Sequence, residues 1–337
     1  MKAPDKRNVL NVMSGSRPAT SMDVARAAGV SQATVSYVLN DRPGSRISEE
    51  TRARVRDAAE RLGYVPHAGA RTLRTGSSGL VLVALPDIPQ GSLATGLIEE
   101  LDRKLGGRGY TMVQYGAREV KGVAAAKAWA ELRPAAVLAD LARLTGAGIE
   151  VLRAAGVKAI IGMGSKGIGG IPSVLADHEG VGALAVRHLM ERGRAEIVAI
   201  VPREEGIRPM GLERLRGARS AGVPVRAVDL AFDEGEAAAF VAGLSGGEGV
   251  FAYNDDYAML LLAALHDAGL AVPGDVAVVG CDDLPLARLT RPRLTTVRPD
   301  LSEAPASIAT LIDRLVRGET CGDVGIWTLQ LIGRDST

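Results

Sequence analysis

Two groups of residues in this 337-residue chain have types and spacing suited to chemistry. The first is acidic. Asn254 and Asp255 follow one short apolar run, Gly249 to Ala252, and Asp282 and Asp283 follow another, Val276 to Val279. Carboxylates and an amide placed just after strands can meet the hydroxyls of a small ligand. Two acidic pairs in one cleft are also compatible with a magnesium site or an acid/base pair. A plainer role, capping a helix or fixing a strand-end loop, is expected for Asp255 and Asp283. No Ser or His stands in a nucleophile motif and no Walker-type glycine loop occurs, so the chain is not expected to be an enzyme.

The second group lies in the stretch Thr20 to Asn40, TSMDVARAAGVSQATVSYVLN. Thr20 followed three residues on by Asp23 resembles a capping box, Gly29 breaks the run, and Ser31 with Thr34 starts a second helix. Val24, Ala28, Val30, Val35 and Leu39 fall where two crossing helices face each other, and Ala25 is small enough for close approach. This pattern is that of a helix-turn-helix. The second helix then shows Gln32, Ala33, Ser36, Tyr37 and Asn40 outward, short polar donors and one aromatic in place of a solvating set of Lys and Glu. Such a face suits a DNA major groove.

Further elements must hold these groups in place. Ser48 is expected to cap a third helix with Glu49 and Glu50 in its first turn, Val55, Ala58, Ala59 and Leu62 on its inner face, and Gly63 at its end. From Leu80 the pattern becomes short β runs alternating with amphipathic stretches. Strands are expected over Leu80–Leu85, Thr111–Tyr115, Ala135–Leu138, Ala159–Ile161, Glu196–Val201, Val225–Asp229, Gly249–Ala252 and Val276–Val279. Helices are expected over stretches such as Leu93–Gly106, Gly180–Arg192, Pro209–Ala221, Glu234–Leu244 and Asp256–Ala268. The βαβ order implies parallel sheets with helices on both faces, and ten or so strands divide better into two sheets of five or six, with the break near Pro172 to Asp177.

Composition narrows the class. The length suits a small module plus a larger body, and 47% hydrophobic residues suffice for real cores. The net charge of +1 conceals an asymmetry: residues 1 to 76 carry 13 Lys and Arg against 7 Asp and Glu, and the remainder 27 against 32. The N-terminal module is thus the end that faces a polyanion. Cys281 and Cys321 are far apart and lack metal-ligand spacing, which fits a reducing cytoplasm without zinc or disulfide. No signal peptide or membrane span is expected, and residues 1–17 read as a flexible tail.

With these residues in view, the chain resembles the lactose repressor/galactose repressor (LacI-type) family of bacterial transcription regulators. The matching motifs run in order: V-A-x-x-A-G-V-S-x-x-T-V-S from Val24, G-Y-x-P from Gly63, A-R-x-L from Ala70, Asn254-Asp255 within Ala252 to Ala258, Val272 to Asp283, Arg293 to Pro299, and the ending Gly333 to Thr337. The resemblance implies an N-terminal all-α helix-turn-helix DNA-binding domain followed by an α/β periplasmic-binding-protein-like body of two Rossmann-like parallel-sheet subdomains. The expected boundaries are 18–64 for the DNA-binding domain, 65–78 for a hinge helix and linker, and 79–337 for the body. Crossovers near 175, 296 and 322 would give an N-subdomain of 79–174 and 297–322 and a C-subdomain of 175–296 and 323–337.

The same resemblance implies a cytoplasmic homodimer, a repressor on a roughly palindromic operator in double-stranded DNA, modulated by a small-molecule effector in the cleft and needing no cofactor or metal. Thr20, Ser31, Thr34, Ser36 and Asn40 would contact phosphates; Gln32, Ala33 and Tyr37 would face base edges; Ala70, Arg71 and Leu73 belong to a hinge helix that wedges Leu73 into the minor groove. Arg208, in R-P-M-G-L, with Asn254 and Asp282 would line the effector pocket. A regulator with a degenerate pocket is the alternative, and a cytosolic solute-binding protein a more distant one.

Departures from the family pattern sharpen these expectations. Tyr37 stands where many relatives carry Arg, so guanine preference at that step should be weaker. Gly69 and His67 weaken the hinge helix. His178 replaces an Asn at the first crossover, Met163 an acidic residue, Cys281 a Phe or Tyr, and Pro86 to Leu93 has lost two aromatics. A pocket poor in aromatics implies an effector other than a typical free sugar.

Overall fold

The computed structural model describes residues 19–39, 47–65, 78–84, 92–117 and 119–337, which belong to two separate units, Met1–Ser78 and Gly79–Thr337. Asn40, Ala70, Arg71 and Leu73 lie outside the described residues.

In the first unit the capping box forms as its spacing requires. The Thr20 hydroxyl accepts the Asp23 N–H at 3.3 Å, the Asp23 carboxylate accepts the Thr20 N–H at 3.0 Å, and α1 runs Ser21–Ala28. Gly29 ends it in the left-handed conformation, φ 66°, which costs glycine nothing. Helix α2, Gln32–Leu39, starts at Ser31, whose hydroxyl accepts the Thr34 N–H at 3.1 Å, and α3, Glu49–Arg61, starts at the Ser48 cap. Val24, Val35 and Val55 are fully buried at the junction of the three helices. Burying each contributes about 1.5–3 kcal/mol. Val38, one turn beyond Val35, joins this core, and Val30 and Leu39 pack against it as expected. One expectation is corrected here. Leu62 is 40% exposed, because it is the cap residue after the last helical turn and no longer follows the inward stripe.

The second unit consists of two six-stranded sheets. The first contains β1 (Leu80–Ala84), β2 (Thr111–Tyr115), β3 (Ala136–Asp140), β4 (Ala159–Gly164), β5 (Ser173–Leu175) and β11 (Val324–Gly325), in the order β11-β5-β4-β3-β1-β2. Its strands are parallel. Helices α4 (Ser92–Gly106) and α11 (Ala304–Val316) cover one face through Leu101, Leu105, Ile308 and Ile312. The other face is covered by α5 (Gly122–Glu131) and α6 (Gly146–Ala154) through Trp129 and Leu152.

The second sheet contains β6 (Ile197–Pro202), β7 (Val225–Leu230), β8 (Gly249–Phe251), β9 (Ala277–Cys281), β10 (Thr295–Asp300) and β12 (Thr328–Ile332), in the order β12-β10-β9-β8-β6-β7. All pairs are parallel except β10 with β12. Helices α7 (His178–Glu191) and α8 (Arg208–Arg219) cover one face, α9 (Glu234–Ala242) and α10 (Asp255–Asp267) the other. Helices α7 and α8 cross at two glycines. A Cβ on Gly182 would lie 1.8 Å from the Arg214 carbonyl oxygen, and one on Gly217 would lie 1.7 Å from that of Glu179.

The chain passes from the first sheet to the second after Leu175, returns after Asp300, and passes again after Gly325. The last two passages therefore lie a few residues beyond the expected 296 and 322. The reason is pairing: β10 continues through Asp300 because β12 bonds along its outer edge, and Val324 still pairs with Val174 of the first sheet. The short strands β5 and β11 and the pair β10 and β12 had no separate strand signal in the apolar pattern. At the end of the chain, the Ser336 hydroxyl donates to the Val278 carbonyl at 2.6 Å and accepts the Thr295 N–H at 2.8 Å. The terminal motif is thus a buried staple between β9 and β10.

Candidate functional site

On α2 the side chains sort by contact. Gln32 and Ala33 are exposed and Tyr37 is 43% exposed, so these three form one outward stripe. Gln32 Nε2 donates to the Ser21 hydroxyl at 2.7 Å, linking the starts of α1 and α2. Ser31 and Thr34 share a hydroxyl–hydroxyl bond of 2.9 Å at the helix N-terminus, and Thr20 is tied to Asp23 at 2.7 Å. Ser36 and Thr34 are half-buried. The first turns of α1 and α2 therefore present backbone N–H groups and hydroxyls beside the stripe, the equipment for phosphate contacts next to base edges.

In the second sheet the strand order reverses between β6 and β8, and this switch point is where open α/β sheets hold ligands. Arg208 follows β6 and Asn254 follows β8, so they stand on either side of the switch, with Asp282 one strand further on, after β9. Their side chains have different partners. Arg208 Nη1 donates to Asp229 Oδ1 at 2.8 Å and to the Pro202 carbonyl at 3.3 Å. Asn254 Oδ1 accepts the Tyr257 N–H at 3.0 Å as the N-cap of α10, a capping role that the sequence suggested for its neighbours. Asp282 accepts the Cys281 thiol at 3.3 Å and lies 3.8 Å from Arg214.

Asp255 and Asp283 hold the loops. Asp255 is fully buried and accepts the Thr296 hydroxyl at 2.6 Å and the Leu284 N–H at 2.7 Å. Burial pushes its carboxyl up to about 7, although both hydrogen bonds favour the charged form. Asp283 is paired with Arg334, Arg288 and Arg298. With each carboxylate committed to a protein partner, the acidic pairs do not form a metal cage, and among the described residues no group of three or more potential metal ligands occurs.

Three of the four non-glycine residues with positive φ among the described residues lie in these loops: Tyr253 at 56°, Asp282 at 106° and Asp283 at 49°. Such backbone costs about 1–3 kcal/mol per residue and persists only where its surroundings enforce it. At Tyr253 and Asp282 the enforcing group is Arg214 of α8, 4% exposed. Its Nη1 donates to the Tyr253 carbonyl at 2.6 Å, its guanidinium lies 4.6 Å over the Tyr253 ring, and Nη2 faces Asp282. Burial opposes its charge, but the carboxylate of Asp282 beside it favours the charged form, and the guanidinium stays protonated. Burial also raises the Cys281 thiol, which stays protonated as a donor to Asp282.

Three aromatic rings pack beside these loops. Phe232 stands edge-on to Tyr257 at 5.4 Å, and Tyr257 edge-on to Tyr253 at 5.7 Å, with Phe232 56% exposed at the end of β7. The Tyr257 hydroxyl donates to Glu204, which also accepts the Phe232 N–H at 2.8 Å. At the first passage His178 is edge-on to Trp327 of the third, centroids 4.7 Å apart; burial, then the charge of Arg214, lowers its pKa to about 3. Sequence reasoning missed Arg214, Glu204 and Tyr257. In the linear chain Arg214 is indistinguishable from Arg216 and Arg219, and only the crossing of α7 and α8 sets it inward.

A capped helix pair with a polar outward stripe and a two-sheet α/β body with strained loops at its switch point make up a helix-turn-helix regulator. Residues 20–67 match the profile of the bacterial regulatory proteins, lacI family, and residues 186–337 that of the periplasmic binding protein-like domain. The chain is 33% identical to the HTH-type transcriptional regulator GalR of Salmonella typhimurium over 83% of its own length and 84% of the relative's. It is 30% identical to the ribose operon repressor of Bacillus subtilis over 95% and 98%. Among solved structures, the lac repressor dimer bound to operator and the anti-inducer ONPF superposes with a TM-score of 0.77 at 22% identity, covering 95% of this chain and 99% of that one. The chain belongs to the lacI family of bacterial regulatory proteins, which are DNA-binding transcriptional regulators and not enzymes.

Proposed function

We propose that this chain is a cytoplasmic repressor that binds a two-fold operator as a homodimer, associates with the nucleoid when bound, and responds to a small effector held at the switch point of its second sheet. The observation that carries the reading is the outward stripe of Gln32, Ala33 and Tyr37, flanked by the hydroxyls of Thr20, Ser31, Thr34 and Ser36. Asn40 extends this set, and Ala70, Arg71 and Leu73 supply a hinge that enters the minor groove. Two such stripes related by a dyad read a palindrome. Arg208, Asn254 and Asp282 contact the effector, a small polar molecule whose hydroxyl or amide groups meet a guanidinium, an amide and a carboxylate. Phe232 offers it an exposed ring face. Effector and operator are then coupled by about 1–3 kcal/mol, typical of such linkage.

Operator selection from random duplexes tests this. A palindrome should be enriched, and Tyr37→Ala and Leu73→Ala should each weaken it tenfold or more. Tyr37→Arg should raise the preference for guanine at one symmetric position by about 1–3 kcal/mol, since only the guanidinium fork spans O6 and N7. Failure to enrich any duplex would refute the reading.

A further inference from the structure

A ring of polar contacts joins the two lobes of the body. The loop after β4 belongs to the first lobe, and Gly167 within it fits so closely to Asp323 that a Cβ would lie 2.5 Å from the carboxylate, which itself accepts the Ser173 N–H at 2.8 Å. The loop is therefore braced on its own lobe. From it, the Ser165 hydroxyl donates to Glu213 Oε1 of α8 in the second lobe at 2.5 Å, and Lys166 Nζ lies 3.5 Å from Glu179 Oε1 of α7. Arg216 closes the ring, donating to Glu179 at 3.1 Å and lying 3.6 Å from Glu213. The Glu179 carboxyl is held below the usual carboxylate range by its Arg216 hydrogen bond and by Lys166.

The platform under this ring is fixed by the glycine crossing. Because Gly182 and Gly217 let α7 and α8 approach to backbone contact, Glu179, Glu213 and Arg216 face the loop as one surface. We infer that Ser165 and Lys166 act as a latch, holding the two lobes together without any effector. The latch is polar and mostly exposed, so its hold depends on ionic strength. Raising salt from 0.1 M to 1 M shortens the screening length from about 10 Å to about 3 Å and should release it. An effector then acts on lobes whose resting angle the solution has already biased, because a ligand shifts such an equilibrium only by its differential affinity for the two states.

The latch itself rests on the lobe contacts alone; its consequence for operator binding rests on the reading above. The test uses the full chain with spin labels at one exposed position per lobe, E131C and R226C, in a Cys321→Ser background. Dipolar distance distributions would be recorded without ligand at 0.1 M and 1 M NaCl. The expected result is one dominant inter-lobe distance at low salt whose population falls at least threefold at high salt. The double variant S165A/K166A should show the same loss already at low salt. Glu179→Gln, an exposed change that leaves the fold alone, should give a smaller loss in the same direction. Distances indifferent to salt and to all three substitutions would overturn the latch. Titration of the selected operator on the same samples reports separately on the regulator reading, since lobe distances respond whether or not DNA binds.

Discussion

Arg214 and His178 show how single buried groups set the geometry of the second lobe. Arg214 bonds the Tyr253 carbonyl and faces Asp282, so it ties two strained strand-end loops together. Arg214→Met should leave that carbonyl unpaired and the loops unsupported, costing about 2–4 kcal/mol in denaturant unfolding, while Arg214→Lys should recover only part, lacking the fork. His178 is 7% exposed, faces Arg214 and Trp327, and its Nδ1 has no hydrogen-bond partner. A histidine whose pKa is lowered on folding stabilises the native state fully above its unfolded value near 6.5, and that contribution is lost as pH falls toward 3. His178→Asn should therefore gain on the parent as pH falls from 7 to 5, with a slope approaching about 1.4 kcal/mol per unit, checked by unfolding midpoints across that range. Asp255 acts in the opposite sense. Its pKa is raised to about 7, so its contribution is present at low pH and lost as pH rises through 7, and the comparison must be made against the parent at each pH.

Among the elements, the α7–α8 pair is the most exacting. Both helices carry outward charge that reads as ordinary solvated surface, yet their crossing tolerates no Cβ at Gly182 or Gly217. Gly182→Ala and Gly217→Ala should each cost about 3 kcal/mol or more, since the obstacle is backbone and cannot rotate away; Gly107→Ala, at ordinary contact distance in the turn after α4, should be near neutral. Thermal unfolding of the three variants decides the matter. The α1–α2 pair was far more legible. Its cap residues, its glycine break and its inward valines all act within one or two turns, so linear spacing and spatial neighbourhood coincide. The strands β5, β11 and β12 were not legible, because their own residues carry no continuous apolar run and each is defined by the neighbour it bonds.

At the scale of the whole molecule the division of charge gives its own prediction. Residues 1 to 76 carry 13 cationic against 7 anionic side chains, and most of this excess lies in the segments flanking the three helices, since residues 18–64 carry 7 against 6. Operator affinity should fall about tenfold or more between 50 and 200 mM salt, measured by titration on the selected duplex, while Tyr37→Ala should weaken binding without changing that slope. A slope changed by Tyr37→Ala would mean that the tyrosine positions phosphate contacts and does not read bases.

Much of the chain was determined by sequence alone: the helix-turn-helix with its caps, the alternation of strand and helix, the existence of two sheets, and the family. These depend on interactions within a few residues or on periodicities of 2 and 3.6. Only the tertiary structure decided that Asn254 caps a helix, that Arg214 rather than Arg216 or Arg219 is buried beneath the strand-end loops, and that Phe232, after β7, meets Tyr257 of α10 and through it Tyr253. Those outcomes follow from which helix crosses which and how closely, a matter of residues tens of positions apart whose proximity no local pattern encodes.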